Sequence, residues 1–380
     1  MADNNENKVL NVPLLRFPEF TDEWKESVLS DFVERVKRKN KNNLCKLPLT
    51  ISAQYGLVDQ ISFFNKVIAS ENMSNYYLLH KGDFAYNKSY SSEYPWGAIK
   101  RLDCYEQGTL SSLYICFKPY SHVSSDFLTH YFETSKWHQG ISEIAVEGAR
   151  NHGLLNVGIQ DFFETRHCLP QSLLEQEKIA KFLNLIEERI ATQNKIIDKL
   201  QSLIKGIAQN IVSNNKPNIR LSDCLDCSSS TLQESDVCET GIYPVYGANG
   251  IVGYLDNYNT EGEAVYIIKD GSGVGTVSYA TGKCSATGTL NTLQAKDGYS
   301  LQYLYYILKV FNFEPYKTGM AIPHIYFKDY GKAKIFCPSY TEQLRYARLQ
   351  SAIDSKLSVE KNILTSLSSQ KQYLLRQMFI

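Results

Sequence analysis

The chain has 380 residues, which is long enough for two domains that each bury a core. Its 40 Lys and Arg residues equal its 40 Asp and Glu residues, so net charge neither indicates nor excludes a polyanionic partner, and local charge must decide. The polar first residues and the absence of an apolar run of membrane-spanning length predict a soluble cytoplasmic protein with no secretory signal and no membrane partner.

The nine cysteines are an odd number scattered along the chain, which favours reduced structural thiols. Cys224 and Cys227 have the spacing of half a zinc site. A zinc site needs four ligands, however, and the nearest further candidate, Cys238, brings no second pair with it. We therefore expect no metal site and no cofactor in this chain.

Residues 1–13 are predicted to form a flexible lead, and residues 14–169 a first domain. Short β-branched and aromatic runs separated by Gly, Asn, Asp and Ser predict strands, and a few helical patterns such as 125–134 interrupt them. The first domain is therefore predicted to be of mixed α and β structure.

Three polar segments of this domain are candidate DNA-binding surfaces. Cations and asparagines crowd the stretch between Glu34 and Asp59, which contains no carboxylate; the cations suit phosphates and the amides suit adenine edges. A solvated loop explains the same stretch, and both interpretations stay open. The second segment, 87–101, mixes charge, hydroxyls and rings, and the third, 148–153, is polar and Gly-rich. The candidate residues are Arg35, Lys37, Arg38, Lys39, Lys41, Lys88, Ser89, Tyr90, Lys100, Arg101, Arg150 and Asn151.

Residues 170–213 are predicted to form one long helix. Apolar residues recur from Ile179 to Ile211 in alternating steps of four and three, the period of a helix that pairs with another helix. Ser172-x-x-Glu175 has the pattern of a capping box, in which the hydroxyl and the carboxylate bond the backbone reciprocally.

Residues 214–337 are predicted to form a second domain of mixed structure. Its Gly-rich segment 267–279 resembles a phosphate loop, but a predicted strand follows the glycines where that loop requires a helix. The segment is therefore predicted to be a β-hairpin turn, whose N–H groups can still contact phosphates. The candidate DNA-binding residues of this domain are Tyr246, Asn249, Lys269, Ser272, Lys283, Lys317, Thr318 and His324, the last with a structural role as the common alternative for a lone histidine.

Residues 338–380 repeat the long helix. Ser339-x-x-Glu342 follows a proline as Ser172-x-x-Glu175 does, and shorter motifs such as Gly108-Thr109-Leu110 and Gly288-Thr289-Leu290 repeat between the domains. The chain is thus predicted to be an internal duplication in the order domain, helix, domain, helix. No nucleotide-binding loop, metalloprotease motif, nucleophile elbow or methyltransferase tetrapeptide occurs, and we expect no catalysis by this chain.

The two helices are predicted to pair with each other. The second domain leaves the end of one helix and returns to the start of the next, so antiparallel pairing needs the shorter connection. The predicted fold is α+β, with two mixed domains separated by an intramolecular antiparallel coiled coil, ~60 Å long and pseudo-two-fold. Such a display fits two half-sites on duplex DNA. A helix pair does not bury every apolar residue beside its seam, and the surplus residues are the predicted partner-binding surface: Phe182, Ile196, Leu203, Leu349, Ile363, Leu375 and Phe379.

The chain resembles the specificity (S) subunit of type I restriction–modification systems. The resemblance rests on the motifs at 15–24, 243–254 and 317–339 and on the two helices that open with Glu-Gln at 175 and 342; 154–171 departs from the pattern. It implies that each domain recognises one half of a bipartite target in double-stranded DNA. It further implies that the helices set the spacer and bind two modification (M) subunits, and that restriction (R) subunits join the full complex. S-adenosylmethionine, ATP and Mg would then belong to those partners.

Two other functions remain possible on the sequence. A coiled-coil scaffold that does not bind DNA accounts for the helices, although it leaves the duplicated domains unexplained. A nucleotide-dependent enzyme built on 270–275 predicts nucleotide affinity that a change at Gly273 abolishes.

Overall fold

A computed structural model of the chain describes residues 10–66, 68–145, 153–319 and 321–380. The chain divides into two compact units: unit 1 contains Met1–Ala191 and Thr365–Ile380, and unit 2 contains Thr192–Leu364. In the described part of the chain, no helix is both long and apolar enough to cross a membrane.

Unit 1 is of mixed structure with short strands in the majority. Its elements are β1 (Lys25–Val28), β2 (Val33–Arg35), β3 (Leu49–Ser52), β4 (Gly56–Asp59), α1 (Gln60–Phe64), β5 (Tyr77–His80), β6 (Phe84–Asn87), β7 (Ala98–Arg101), β8 (Gln107–Leu110), β9 (Ile115–Pro119), α2 (Ser125–Tyr131), α3 (His138–Ile144), α4 (Ile159–Phe163), β10 (Arg166–Leu169) and the first part of α5 (Leu173–Ser213).

Unit 2 continues from α5. Its further elements are β11 (Ile219–Arg220), α6 (Leu221–Cys224), β12 (Leu225–Ser229), β13 (Tyr243–Gly247), β14 (Gly250–Leu255), β15 (Glu263–Ile268), β16 (Val277–Thr281), β17 (Ser285–Ala286), β18 (Leu290–Ala295), α7 (Leu301–Leu308), α8 (Phe327–Tyr330), β19 (Lys334–Ile335) and most of α9 (Tyr340–Gln377).

The two units repeat the same central sheet. Unit 1 has four antiparallel strands in the order β2-β9-β6-β7, and unit 2 has four in the order β12-β18-β15-β16. Each unit also pairs the strand before its sheet with the strand before its long helix, as β1-β10 and β11-β19. The duplication predicted from the helices therefore extends to the domains.

The central strands are buried on both faces, which is why their sequences are apolar without alternation. In β6, Phe84 and Tyr86 face the helices while Ala85 between them faces a second cluster. In β15, Val265 and Tyr266 face two different clusters in the same way. Each sheet therefore has helices on one face and further strands on the other.

The long helices pair antiparallel, as predicted. Within unit 2, Gln193 Nε2 on α5 donates to the Glu360 backbone oxygen on α9 at 3.0 Å, and also to its carboxylate. Further along α5, Gln350 Nε2 donates to the Ile204 backbone oxygen at 3.3 Å. From the first contact to the second, the residue numbers rise along α5 and fall along α9, so the two helices run antiparallel. Buried Leu357 and Ile197 lie in the same apolar cluster.

The start of α5 corrects the prediction of a capping box. Ser172 Oγ accepts from the Glu175 backbone N–H at 3.4 Å, but the carboxylate of Glu175 does not close a capping box. It is buried and accepts from Arg16 at 2.7 and 2.8 Å and from Trp24 Nε1 at 3.1 Å. The segment 15–24, far away in sequence, therefore satisfies the glutamate that the local pattern assigned to the backbone.

Candidate nucleic-acid interface

Two loops of unit 2 converge on His324. The loop 269–276 joins β15 to β16 in an antiparallel hairpin, as predicted, and His324 forms backbone bridges with both Asp270 and Thr318. Ile325 N–H donates to the Lys269 oxygen at 2.9 Å and Gly271 N–H donates to the Pro323 oxygen at 3.0 Å. The structure thus assembles five of the predicted residues, which we name the His324 cluster: Lys269, Ser272, Lys317, Thr318 and His324.

The imidazole of this cluster is oriented by a carboxylate. His324 Nδ1 lies 2.6 Å from Asp270 Oδ1, and both side chains are about one-third exposed. The other ring nitrogen, Nε2, has no partner within the described residues. It is an acceptor when the ring is neutral and a donor when the ring is protonated, so it can bond either a base edge or a phosphate. Lys317 is held 2.6 Å from Glu314, and Ser272 is exposed.

The other predicted residues of unit 2 are not all in this cluster. Tyr246 is half-buried against Tyr266, and burial raises its pKa. The backbone oxygen of Tyr246 accepts from Thr287 N–H at 2.9 Å. Two residues further on, the Thr289 oxygen accepts from Lys269 N–H at 3.0 Å, so the segment 287–289 connects Tyr246 to the His324 cluster. Asn249 is exposed in the turn that joins β13 to β14. Lys283 lies at the opposite end of the β15–β16 hairpin, 4.8 Å over the Tyr258 ring.

The predicted basic stretch of unit 1 is partly structural. Arg38 forms an ion pair with Asp83, and burial raises the pKa of that carboxyl. Lys39 Nζ donates to the Asn75 oxygen at 2.8 Å, and Arg35 donates to the Tyr77 hydroxyl at 3.4 Å. These contacts hold β5 in place. Three cations of the stretch are exposed: Lys37, Lys41 and Lys46.

The asparagines of this stretch correct the idea that all of them read bases. Asn40 is buried, and its amide bonds the backbone of Cys45 twice, at 2.9 Å each. Asn43 bonds the Glu71 oxygen at 2.9 Å and Met73 N–H at 3.1 Å. Both amides stabilise the loop on which the exposed lysines lie.

The second predicted segment of unit 1 divides into two parts. Tyr90 is exposed, and Ser89 forms a backbone bridge with Leu154. Lys88 donates to the Val157 oxygen at 3.4 Å. In the other part of the second segment, Lys100 lies 3.8 Å from Glu133, and Arg101 lies 2.7 Å from Asp103 and 2.6 Å from Asp126. The predicted residues of the third segment, Arg150 and Asn151, are outside the described residues. Carboxylates therefore lie beside Lys100 and Arg101, as Glu314 lies beside Lys317, and the assignment of Lys100 and Arg101 as DNA contacts stays a prediction.

The two units differ at an equivalent point of the same scaffold. After the central strand β15, unit 2 bridges Asp270 to His324; after the central strand β6, unit 1 bridges Ser89 to Leu154. The backbone arrangement is repeated while the side chains change from an acid–imidazole pair to a hydroxyl and an apolar residue.

A group of potential metal ligands in unit 1 is an ion-pair network. His130, Glu133 and Glu187 lie close together, but Lys371 Nζ lies among them, 2.7 Å from Glu133 and 2.6 Å from Glu187. Burial lowers the pKa of Lys371, yet the two carboxylates outweigh it and the pKa is raised. Burial likewise opposes ionisation of Glu133, and Lys371 outweighs it to lower that pKa. The ammonium thus supplies the cation that the carboxylates need.

The cysteine pair lies in a buried environment. Burial raises the pKa of the Cys224 thiol to about 12 and that of Cys227 to about 11. The Cys224 thiol donates to the Leu221 backbone oxygen at 3.4 Å, and the expected absence of a metal stays a prediction.

The predicted partner-binding surface is partly wrong. Leu375 and Phe379 are 3% and 1% exposed and belong to the core of unit 1, and Phe182 packs on Phe17 with ring centroids 5.9 Å apart. The prediction considered two helices alone and missed the strands and α2 that cover them. Four of the predicted residues remain exposed, all in unit 2: Ile196 (36%), Leu203 (49%), Leu349 (51%) and Ile363 (41%).

Comparison with known proteins agrees with this arrangement. Residues 217–369 match the family model described as type I restriction modification DNA specificity domain. The Type I restriction enzyme EcoprrI specificity subunit of Escherichia coli is 28% identical over 117 residues, 31% of this chain and 29% of the relative. A putative type I restriction enzyme specificity subunit of Haemophilus influenzae, S.HindORF215P, is 34% identical over 89 residues, 23% of each chain. The matches thus span less than a third of these curated relatives.

Solved structures share the fold along nearly the whole chain. The S subunit of a type I restriction–modification system from M. genitalium superposes with a TM-score of 0.63 at 17% identity, covering 97% of this chain and 99% of that one. A chain from a structure described for assembly and conformational transition of the type I R-M system gives 0.55 at 17% identity, covering 94% and 97%. The fold of the chain is thus similar to that of these solved chains, and residues 217–369 match the type I restriction modification DNA specificity domain.

Proposed function

We propose that this chain is the DNA-binding specificity subunit of a type I restriction–modification complex. Its two predicted recognition domains, 14–169 and 214–337, each recognise one half of a bipartite target, and α5 with α9 sets the spacer. The observation that carries the proposal is the repeated sheet with different side chains at an equivalent bridge, Asp270–His324 in unit 2 and Ser89–Leu154 in unit 1. A scaffold repeated with altered loops suits two different half-sites.

In unit 2, the His324 cluster is the proposed contact with DNA. Lys269 and Lys317 suit phosphates, which provide affinity without sequence information. His324 Nε2 and the hydroxyls of Ser272 and Thr318 suit base edges in the major groove. In unit 1, exposed Lys37 and Lys41 would bind phosphates and exposed Tyr90 would lie against the DNA.

The chemistry of the complex is proposed to belong to partner subunits. Two modification subunits, adenine methyltransferases that use S-adenosylmethionine, would bind the long helices, and restriction subunits would bring ATP and Mg. This chain would be non-catalytic. Exposed Ile196, Leu203, Leu349 and Ile363 are the apolar residues proposed to meet a partner.

Exchange of one recognition domain tests the proposal. The segment 214–337 is replaced by that of another specificity subunit, and adenine methylation is mapped in cells that also express the modification subunit. We expect one half of the methylated sequence to change while the other half and the spacer stay the same. Changes in both halves or in neither would refute modular recognition. If the unaltered chain gives no methylation and no salt-sensitive DNA binding with its partner, the scaffold function is correct instead.

A further inference from the structure

Each unit contains a helix that its long helix fixes through a buried glutamine. In unit 1, Gln176 Oε1 accepts from Ser124 N–H at 2.8 Å and its Nε2 donates to the Pro170 oxygen at 2.8 Å. In unit 2, Gln343 Oε1 accepts from Ser300 N–H at 2.9 Å and its Nε2 donates to the Pro338 oxygen at 2.9 Å. Both glutamines are buried.

The serines in these contacts are helix caps. Ser124 Oγ accepts from Phe127 N–H at the start of α2, and Ser300 Oγ accepts from Tyr303 N–H at the start of α7. The glutamine therefore binds the residue at which α2 or α7 begins, and we call these two helices the crossing helices. One glutamine side chain thereby connects the crossing helix, the proline that precedes the long helix, and the long helix itself.

A second contact joins the other end of each crossing helix to the same long helix. In unit 2, the Tyr306 hydroxyl donates to Asp354 Oδ2 at 2.7 Å. In unit 1, His130 Nε2 lies 2.8 Å from Asn184 Oδ1, and its Nδ1 lies 3.7 Å from Glu187. Lys371 strengthens this end by binding both Glu187 and Glu133.

The two contacts have the same spacing in both units. Tyr306 follows Ser300 by as many residues as His130 follows Ser124, and Asp354 follows Gln343 by as many as Glu187 follows Gln176. Asn184, which forms the hydrogen bond with His130, lies about one turn closer to Gln176 than Glu187 does. The glutamine and the carboxylate are about three turns apart on one face of the long helix. The chemistry at the second point differs between the units, whereas its location on the long helix agrees to within about one turn. A repeated location with altered chemistry indicates a repeated mechanical role.

We propose that these contacts form a two-point clamp that fixes the orientation of each recognition domain on its long helix. Gln176, Gln343, His130 and Tyr306 are then positioning residues for spacer length, an inference that rests on the proposed function. Apolar packing holds each domain against the long helices, and the two polar contacts about three turns apart fix the angle at which the domain packs. B-DNA rises about 3.4 Å per base pair. If a domain rotated so that its DNA-binding loops moved by this distance, the protein would bind a target whose spacer is one base pair longer or shorter.

Tyr306→Phe is the sharpest test, because it removes the hydroxyl at the second point and keeps the buried ring. Tyr330→Phe is the matched control: Tyr330 is also buried, and its hydroxyl accepts from Asn291 Nδ2 at 3.0 Å within the domain. The full chain with its modification subunits is assayed for methylation of duplexes that carry the native spacer or a spacer one base pair longer or shorter.

We expect Tyr306→Phe to lower the preference for the native spacer about three- to tenfold, the factor of one buried hydrogen bond, with both half-site sequences unchanged. Tyr330→Phe should keep the wild-type preference. A wild-type preference in folded Tyr306→Phe, or an equal loss in Tyr330→Phe, would overturn the clamp.

Hydrogen exchange separates the clamp from the proposed function. Gln343→Met removes the acceptor of Ser300 N–H, and exchange at this amide should accelerate at least about tenfold while β15 stays protected. Unchanged exchange at Ser300 would overturn the clamp whether or not the protein binds DNA. If exchange accelerates but the wild-type complex shows no spacer preference at all, the proposed function fails and the clamp remains as a structural joint.

Discussion

Replacement of Lys371 by methionine should destabilise unit 1 strongly. The ammonium lies 2.7 Å from Glu133 and 2.6 Å from Glu187, and Lys371 is largely buried between them. Removal of one partner from a fully buried ion pair costs about 3–5 kcal/mol. Because Glu187 is more than one-third exposed and water can solvate it, we expect about 2–3 kcal/mol for Lys371→Met.

The pH dependence of this loss of stability is a second, independent test of the prediction. The pKa of Glu133 is lowered in the folded protein, so its contribution is present above its unfolded value of about 4.3 and is lost as pH falls through the folded value. Without Lys371, burial raises the pKa of Glu133 against only the smaller lowering effects of Lys100 and His130, so protonation in acid relieves the mutant. The stability difference between wild type and Lys371→Met should therefore shrink as pH falls from 7 toward 4.

Tryptophan fluorescence can follow unit 1 by itself, because all three tryptophans, Trp24, Trp96 and Trp137, lie in it. Urea unfolding of wild type and variants is measured at several pH values. The control is Lys81→Met, which breaks the exposed Lys81–Glu106 pair of the same unit and should cost under about 1 kcal/mol. If Lys371→Met costs no more than this control, or if the difference is independent of pH, the ion-pair reasoning is wrong.

Three further results are expected. Phe379 is buried, so Phe379→Ala should lower the free energy of unfolding of unit 1, measured in urea, by about 3–5 kcal/mol. Leu349 is exposed, so Leu349→Ala should leave stability unchanged and weaken co-purification of the modification subunit. The double change of Lys37 and Lys41 to alanine should reduce the slope of log affinity against log salt by about two and leave the target sequence intact; an unchanged slope would remove both lysines from the interface. His324→Ala should relax one or more base positions in one half-site by about 1–3 kcal/mol, measured by methylation of substituted duplexes, and a uniform loss over all sequences would identify a phosphate contact instead.

Regular, local patterns in the sequence were sufficient to predict the scaffold. The apolar period of 3.5 residues predicted α5 and α9, and their shared openings predicted the duplication that the sheets confirm. The glycines of 269–276 predicted a hairpin because no helix pattern follows them. Gly275 has a φ of 90°, which favours glycine, and a Cβ there would lie 3.1 Å from Phe313 and press on that ring.

Partners that are distant in sequence explain what the patterns could not predict. Glu175 meets Arg16 and Trp24, so its carboxylate is unavailable to the helix start. Arg38 meets Asp83, although it stands in a stretch without carboxylates. In the sequence, a basic side chain that binds DNA and one that holds a strand look the same.

The composition of unit 1 has a consequence for synthesis of the chain. Leu374, Leu375, Met378 and Phe379 belong to the same core as Trp24 and Phe84, although all of unit 2 is translated between them. A ribosome therefore releases every residue of unit 2 before the core of unit 1 can close. Nascent or prematurely terminated chains would expose the apolar surface that these four residues cover, which makes them substrates for chaperones and proteases. Unit 1 can reach its stable state only in chains that have been translated through Phe379.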